Sequence, residues 1–292
     1  MTDAQAEPRL NTVQCLGSRG LHRMAYWEWG DAANPRVLVC VHGLSRQGRD
    51  FDTLVQALCR HYRVVCPDVV GRGRSDWLTD PAGYQIPAYV ADMVTLLARL
   101  NAAELHWVGT SMGGLIGLGI ASLPDSPIQR LVLNDVGPTI EAGSLQRIGT
   151  YLGQAMHWAS EDEAADYLLT ISQGFGKHSR AQWLALTRPM LEPDGSGFKP
   201  HYDPAIAVPF RALTPELAKA GEAMLWAGYD AIRCPTLLLR GADSDLLTRA
   251  TAQAMTQRGP KARLHEFADV GHAPMLVVPE QVAVVRDFLL SP

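Results

Sequence analysis

Serine, histidine and aspartate follow apolar runs at several points in this chain, and together those residue types can turn a hydroxyl into a nucleophile. A serine hydroxyl is a weak nucleophile at its own pKa. It needs a base within hydrogen-bond reach, and that base needs a carboxylate to hold its tautomer. Ser111 sits in Gly109-Thr110-Ser111-Met112-Gly113, a G-x-S-x-G pattern. The strand-like run Leu105 to Val108 leads into it, and the helix-compatible run Met112 to Leu123 leads out. So sharp a strand-to-helix turn strains the serine backbone and holds its hydroxyl above the sheet. The flanking glycines let strand and helix approach where a Cβ would clash. The helix start supplies free N–H groups and the positive end of a dipole, which favour a developing oxyanion.

His272, in Asp269-Val270-Gly271-His272-Ala273-Pro274 after the last strand-like run, is the candidate base. Three aspartates are eligible as its carboxylate. In Gly241-Ala242-Asp243-Ser244-Asp245-Leu246-Leu247, Asp245 is favoured, because it lies deeper in the loop and abuts an apolar pair that could desolvate it. Asp243 would then form the turn, and Asp135, after the preceding strand, is the third choice. Two N–H donors are expected to hold an oxyanion. One is Met112, directly after the serine; the other is Leu44, in the loop opened by His42-Gly43. His42 itself is expected to hydrogen-bond within that loop.

These residues need a frame. Met24–Trp29, Arg36–Val41, Tyr62–Cys66, Leu105–Val108, Gln129–Leu133, Pro235–Leu239 and Arg263–Phe267 read as strands. Arg36–Val41 (RVLVCV) is nearly all apolar, as a strand buried on both faces should be. Phe51–Leu58, Ile86–Leu100, Thr248–Gln257 and Val278–Leu290 carry helical periodicity. Alternation of this kind implies a mostly parallel sheet covered on both faces, with its site at the carboxyl ends of the strands. His42, Asp68, Ser111, Asp135, Asp245 and His272 all follow strand-like runs. From about Pro138 to Tyr229 the alternation stops. Helical stretches Ser144–Ala159, Glu161–Gln173 and Arg180–Met190 take its place, so residues 138–229 read as a helical insertion into a core of residues 1–137 and 230–292.

Composition narrows the class. The chain has 292 residues, 47% apolar and 19% charged, which suits a buried core and argues against disorder. A net charge of −4, with no basic run, gives no footprint for nucleic acid or an anionic membrane. Met1 to Cys15 holds Asp3, Glu7 and Arg9 and lacks the apolar stretch of a secretory signal. The five cysteines are odd in number and show no C-x-x-C, so buried free thiols are expected rather than disulfides or a metal site. A cytoplasmic setting follows. Gly71-Arg72-Gly73-Arg74-Ser75 is not a phosphate loop, because it lacks a third spaced glycine and any G-K-[ST].

From Met24 to Leu290 the chain resembles the α/β-hydrolase superfamily. The likeness is carried by His42-Gly43, by D-x-x-G-x-G-x-S at Asp68–Ser75, by Gly109–Gly114, by Gly241–Asp245 and by Gly271-His272. It implies an eight-stranded, mostly parallel sheet with helices on both faces and a helical cap after the sixth strand. It implies a serine hydrolase acting on a small carboxylic ester or lactone through an acyl-enzyme, without cofactor or metal. Serine at position 111 departs from the relatives that use aspartate as nucleophile. Other readings are carbon–carbon bond hydrolysis of diketo acids, cofactor-free haloperoxidase or acyltransferase chemistry, and a ligand receptor on the same fold. For diketo acids Arg46 and Arg188 would supply positive charge. Tyr151, Met156, Trp158, Phe175, Trp183 and Met190 are cap candidates for the pocket wall, with Arg46, Trp158 and Phe175 singled out as substrate contacts. The sequence leaves a homodimer open.

Overall fold

The computed structural model describes residues 7–212 and 214–291. The start of the N-terminal segment discussed above, residues 1–6, lies outside the described residues. The strands are β1 (Arg9–Gly17), β2 (Gly20–Trp29), β3 (Arg36–Val41), β4 (Arg63–Pro67), β5 (Glu104–Thr110), β6 (Ile128–Asn134), β7 (Leu191–Asp194), β8 (Gly197–Pro200), β9 (Thr236–Gly241) and β10 (Arg263–Phe267). Eight of them form one sheet in the order β1-β2-β4-β3-β5-β6-β9-β10. The β1–β2 and β2–β4 pairs are antiparallel, and every later pair is parallel. The fold is therefore the α/β-hydrolase fold expected from the sequence.

The helices are α1 (Asp52–Leu58), α2 (Ile86–Leu100), α3 (Met112–Ala121), α4 (Ala142–Tyr151), α5 (Glu161–Ile171), α6 (Arg180–Thr187), α7 (Ala207–Arg211), α8 (Pro215–Ala231), α9 (Arg249–Gln257) and α10 (Pro279–Leu290). Strand β3 shows why the sheet is covered twice. Val37, Val39 and Val41 join the core on one face, and Leu38 and Cys40 join the core on the other. Alternate side chains leave a strand on opposite faces, so an unbroken apolar run demands helices on both.

Four features go beyond the sequence expectation, one of them the 17-residue helix α8. β1 pairs with β2 across a two-residue turn, but it is an edge strand that buries only Val13 and Cys15, too few positions for a strong pattern. Between β6 and β9 lies a small antiparallel hairpin, β7–β8, beside the expected helices. The helix expected over Ser144–Ala159 ends at Tyr151: Leu152 is extended, and Gly153 follows at φ 71°. A Cβ on Gly153 would meet the Pro204 carbonyl at 2.6 Å, so the chain turns where only glycine fits.

Candidate active site

β5 runs through the middle of the sheet, bonded to β3 on one side and β6 on the other. It delivers Ser111 at φ 51°, ψ −115°, a conformation that non-glycine residues rarely adopt. The surroundings enforce it. A Cβ at Gly109 would strike the backbone of Gly113 and Gly114, and one at Gly113 would strike the Val41 carbonyl. The Ser111 amide donates to the Asn134 carbonyl at 3.0 Å, and the Gly113 amide donates to the His42 carbonyl at 3.1 Å. The bend is thus held from both neighbouring strands.

The Ser111 hydroxyl lies 3.0 Å from Nε2 of His272, and Nδ1 of the same ring lies 2.7 Å from Oδ2 of Asp135. With Asp135 ionised, Nδ1 carries the proton and Nε2 presents its lone pair to the hydroxyl. Asp135 is fully buried. Its Oδ1 accepts the Gly241 amide at 2.8 Å, and its Oδ2 accepts the Ser244 hydroxyl at 2.6 Å. Buried carboxylates persist when hydrogen-bonded in this way. The His272 loop is pinned by Asn134, whose amide group donates to Pro274 at 2.8 Å and to Thr110 at 2.9 Å.

Here the sequence expectation is corrected. Asp245 does not reach His272; its carboxylate is bound by Arg147 at 2.8 and 3.0 Å, and its side chain is half exposed. Asp243 does not reach it either. The reason is where the strands end. Asp135 follows β6, the direct neighbour of β5, and its amide donates to Leu239 of β9 at 2.9 Å. That pairing aims the carboxylate between β6 and β9, directly beneath the His272 loop. Residues 243–245 lie beyond β9, and Ser244 supports Asp135 from there.

His42 is buried, and burial pushes its imidazole down to about 3. Its Nε2 accepts the Val69 amide at 3.0 Å, so Nδ1 holds the proton and donates to the Gly43 carbonyl at 2.7 Å. The ring sets the loop that carries Leu44. Gly43 brings that loop against the serine: a Cβ there would lie 3.8 Å from Cβ of Ser111. Met112 is the first residue of α3, so its amide has no acceptor within the helix. Arg72, unmarked in the sequence reading, is buried and donates to the Leu44 carbonyl at 2.8 Å while its guanidinium meets Sδ of Met112 at 3.6 Å. Asp68 accepts the Gly48 amide at 2.8 Å and the Arg74 amide at 2.9 Å, so its glycine-rich turn is scaffolding.

Ser111 stands where two cavities meet. One, of about 90 Å³, has His272, Arg46, Arg147, Phe175 and Met190 in its wall. The other, of about 580 Å³, has Met112, Leu115, Val136, Ile140 and Phe210. A groove of about 670 Å³ between the β1–β2 turn and α2 is larger, but Ser111, His272 and Asp135 are all absent from its wall. Chemistry, not size, selects the site. Of the expected substrate contacts, Arg46 and Phe175 line the smaller cavity, whereas Trp158 is buried against Ala164 and Leu191 and faces an adjoining recess with Met156. Trp183 stacks on Phe175, ring centres 6.0 Å apart. Arg188 pairs with Glu161 on the surface and is not in the cavity wall. The sequence points to no metal. Even so, Cys15, His22 and Asp92 bring three ligand-type atoms within 4.8 Å of one another, away from Ser111.

A family model described as the alpha/beta hydrolase family matches residues 38–285. The chain belongs to that family and is a hydrolase. It is 56% identical over 287 residues to a 3-hydroxybutyrate-oligomer hydrolase of Cupriavidus necator, covering 97% of this chain and 98% of that one. An alpha/beta hydrolase from Novosphingobium aromaticivorans superposes with a TM-score of 0.84 at 34% identity, covering 98% of each chain. A putative hydrolase from Rickettsia typhi superposes at 0.87 with 29% identity, over 97% of this chain and 99% of that one. Among the described residues, no helix is long and apolar enough to cross a membrane.

Proposed function

We propose that this chain is a serine esterase that cleaves short 3-hydroxybutyrate oligomers or closely related hydroxy-acid esters. The observation that carries the reading is the hydrogen-bonded line Ser111–His272–Asp135, opening on two cavities. The C. necator relative supports the substrate class. His272 takes the Ser111 proton as Oγ bonds to the ester carbon. The Leu44 and Met112 amides hold the oxyanion; a donor of this kind is typically worth about 3 kcal/mol of barrier. The ester C–O bond breaks, and the proton on Nε2 passes to the departing oxygen. Water activated by His272 then releases the acid from Ser111. Asp135 holds the ring and stabilises it while charged. None of these steps calls for a cofactor. Residues 138–229 act as the cap that closes both cavities, and the free cysteines suit a reducing, cytoplasmic setting.

The test is release of 3-hydroxybutyrate from its dimer and of p-nitrophenol from p-nitrophenyl butyrate. Turnover of both by the purified chain, with a burst of p-nitrophenol, is expected. Absence of turnover on either would overturn the reading.

A further inference from the structure

The two cavities differ in charge, and that difference gives the substrate a direction. The departing oxygen must lie within reach of His272, which receives and returns the proton. His272 is in the wall of the 90 Å³ cavity and not in that of the 580 Å³ cavity. The leaving alcohol therefore enters the small cavity, and the acyl chain occupies the large apolar one.

The wall of that cavity carries two guanidiniums, Arg46 and Arg147, and one carboxylate, Asp50. Arg46 is committed: it grips Asp50 at 2.8 and 2.6 Å and the Leu186 carbonyl at 3.0 Å, with the Phe175 ring over it. Arg147 differs. Its Nε and Nη2 hold Asp245, whose side chain is half exposed and is not in the cavity wall. Water screens that carboxylate on its outer side. The Ser144 hydroxyl on the same helix donates to the Asp245 backbone carbonyl, so Arg147 is clamped in its stance at the cavity.

Resting on the esterase reading, we propose that Arg147 is a specificity residue that binds the free carboxylate of a hydroxy-acid leaving group, so that the enzyme removes single units from the carboxyl end of an oligoester. The cleaved bond is the one between the acyl carbon and the 3-oxygen of the terminal 3-hydroxybutyrate. That oxygen takes its proton from His272, and the released unit keeps its carboxylate. Asp245, freed from the role the sequence suggested for it, becomes the group that orients this arginine.

The experiment compares the 3-hydroxybutyrate dimer with the same dimer whose terminal carboxylate is a primary amide. Both carry the same internal ester, and only one carries the charge. Wild-type enzyme is expected to prefer the free acid in kcat/KM by about 10- to 100-fold, as a charged hydrogen bond allows. Arg147→Gln should bring that ratio to within about twofold, chiefly through KM, and Arg147→Lys should retain part of it. Equal rates on acid and amide in the wild type would overturn the proposal, as would a preference that survives Arg147→Gln. An equal loss on both substrates in Arg147→Gln would mark a purely structural arginine and overturn it too. Turnover of p-nitrophenyl butyrate is read in parallel. If it fails in the wild type, the esterase reading itself has failed; if it holds while acid and amide are equivalent, only the Arg147 proposal falls.

Discussion

Ser111, His272 and Asp135 meet at the carboxyl end of the sheet, while Cys15, His22 and Asp92 meet at its antiparallel edge. Each cluster pairs a nucleophile-type side chain with a histidine and an aspartate, and the histidine–aspartate distances are 2.7 and 2.9 Å. Their geometry separates them. His272 engages the aspartate through one ring nitrogen and the serine through the other. His22 spends Nε2 on Asp92, and its Nδ1 has no hydrogen-bond partner among the described residues. The Cys15 thiol lies 3.9 Å from the Asp92 backbone carbonyl rather than in line with the imidazole. Burial first, then the Asp92 charge, pushes that thiol up to about 12, far from the thiolate a nucleophile needs. Ser111 opens on two cavities beside a free helix start; Cys15 sits inside a strand. Residue types alone do not make a site. Alignment of both ring nitrogens, room for a substrate and donors for its oxygen do.

This contrast can be broken by experiment. The largest effect should come from Ser111→Ala, which is expected to lower kcat on p-nitrophenyl butyrate by roughly 10⁴- to 10⁶-fold. Steady-state rates read it, and retained turnover would remove the serine from the mechanism. Gly113→Ala is expected to cost about 2–3 kcal/mol of folding stability, because the new Cβ would strike the Val41 carbonyl. Urea denaturation measures it.

A smaller effect concerns the histidines that packing holds neutral. His42 and His106 are pushed down, first by burial, to about 3 and about 4. Unfolded, each titrates near 6.5. Their contribution to stability is complete above about pH 6.5 and is lost as pH falls, because the unfolded chain takes up protons that the folded one refuses. Asp68, raised to about 6 by burial, works in the opposite direction between about pH 4 and 6. His42, shifted furthest, contributes to a fall in stability toward acid, and His42→Gln should reduce that fall. Urea midpoints at several pH values test the sign. The smallest effect is expected from Cys15→Ala, with kcat/KM within about twofold of wild type, since the thiol touches no part of the Ser111 site. In the native protein a thiol reagent should leave Cys15 unlabelled.

Much of this was legible in the chain, and the failures have physical causes. Ser111 announced itself because the elbow needs local glycines, and local needs leave local marks. Arg36–Val41 was legible for the same reason: burial on both faces writes an unbroken apolar run. Asp135 ranks only third from the sequence because its role depends on strand neighbours. Three candidate aspartates follow strand ends, and only the β5-β6-β9 order decides which lies under His272. One signal was available: Asn134-Asp135 closes the strand after the nucleophile strand. Arg147 escaped notice because its helix belongs to the insertion, where periodicity shows packing but not what a polar side chain faces. Arg72 was read as part of a turn, and nothing in a glycine-rich pentapeptide indicates that its arginine is buried.

The claim on which the account turns is that His272 is served by Asp135 and not by Asp245. The direct measurement is kcat/KM on p-nitrophenyl butyrate for Asp135→Asn and Asp245→Asn side by side, with circular dichroism confirming that both fold. Asp135→Asn is expected to fall by about 10³- to 10⁴-fold and Asp245→Asn by less than about fivefold. The reverse order, or two equal losses, would contradict it.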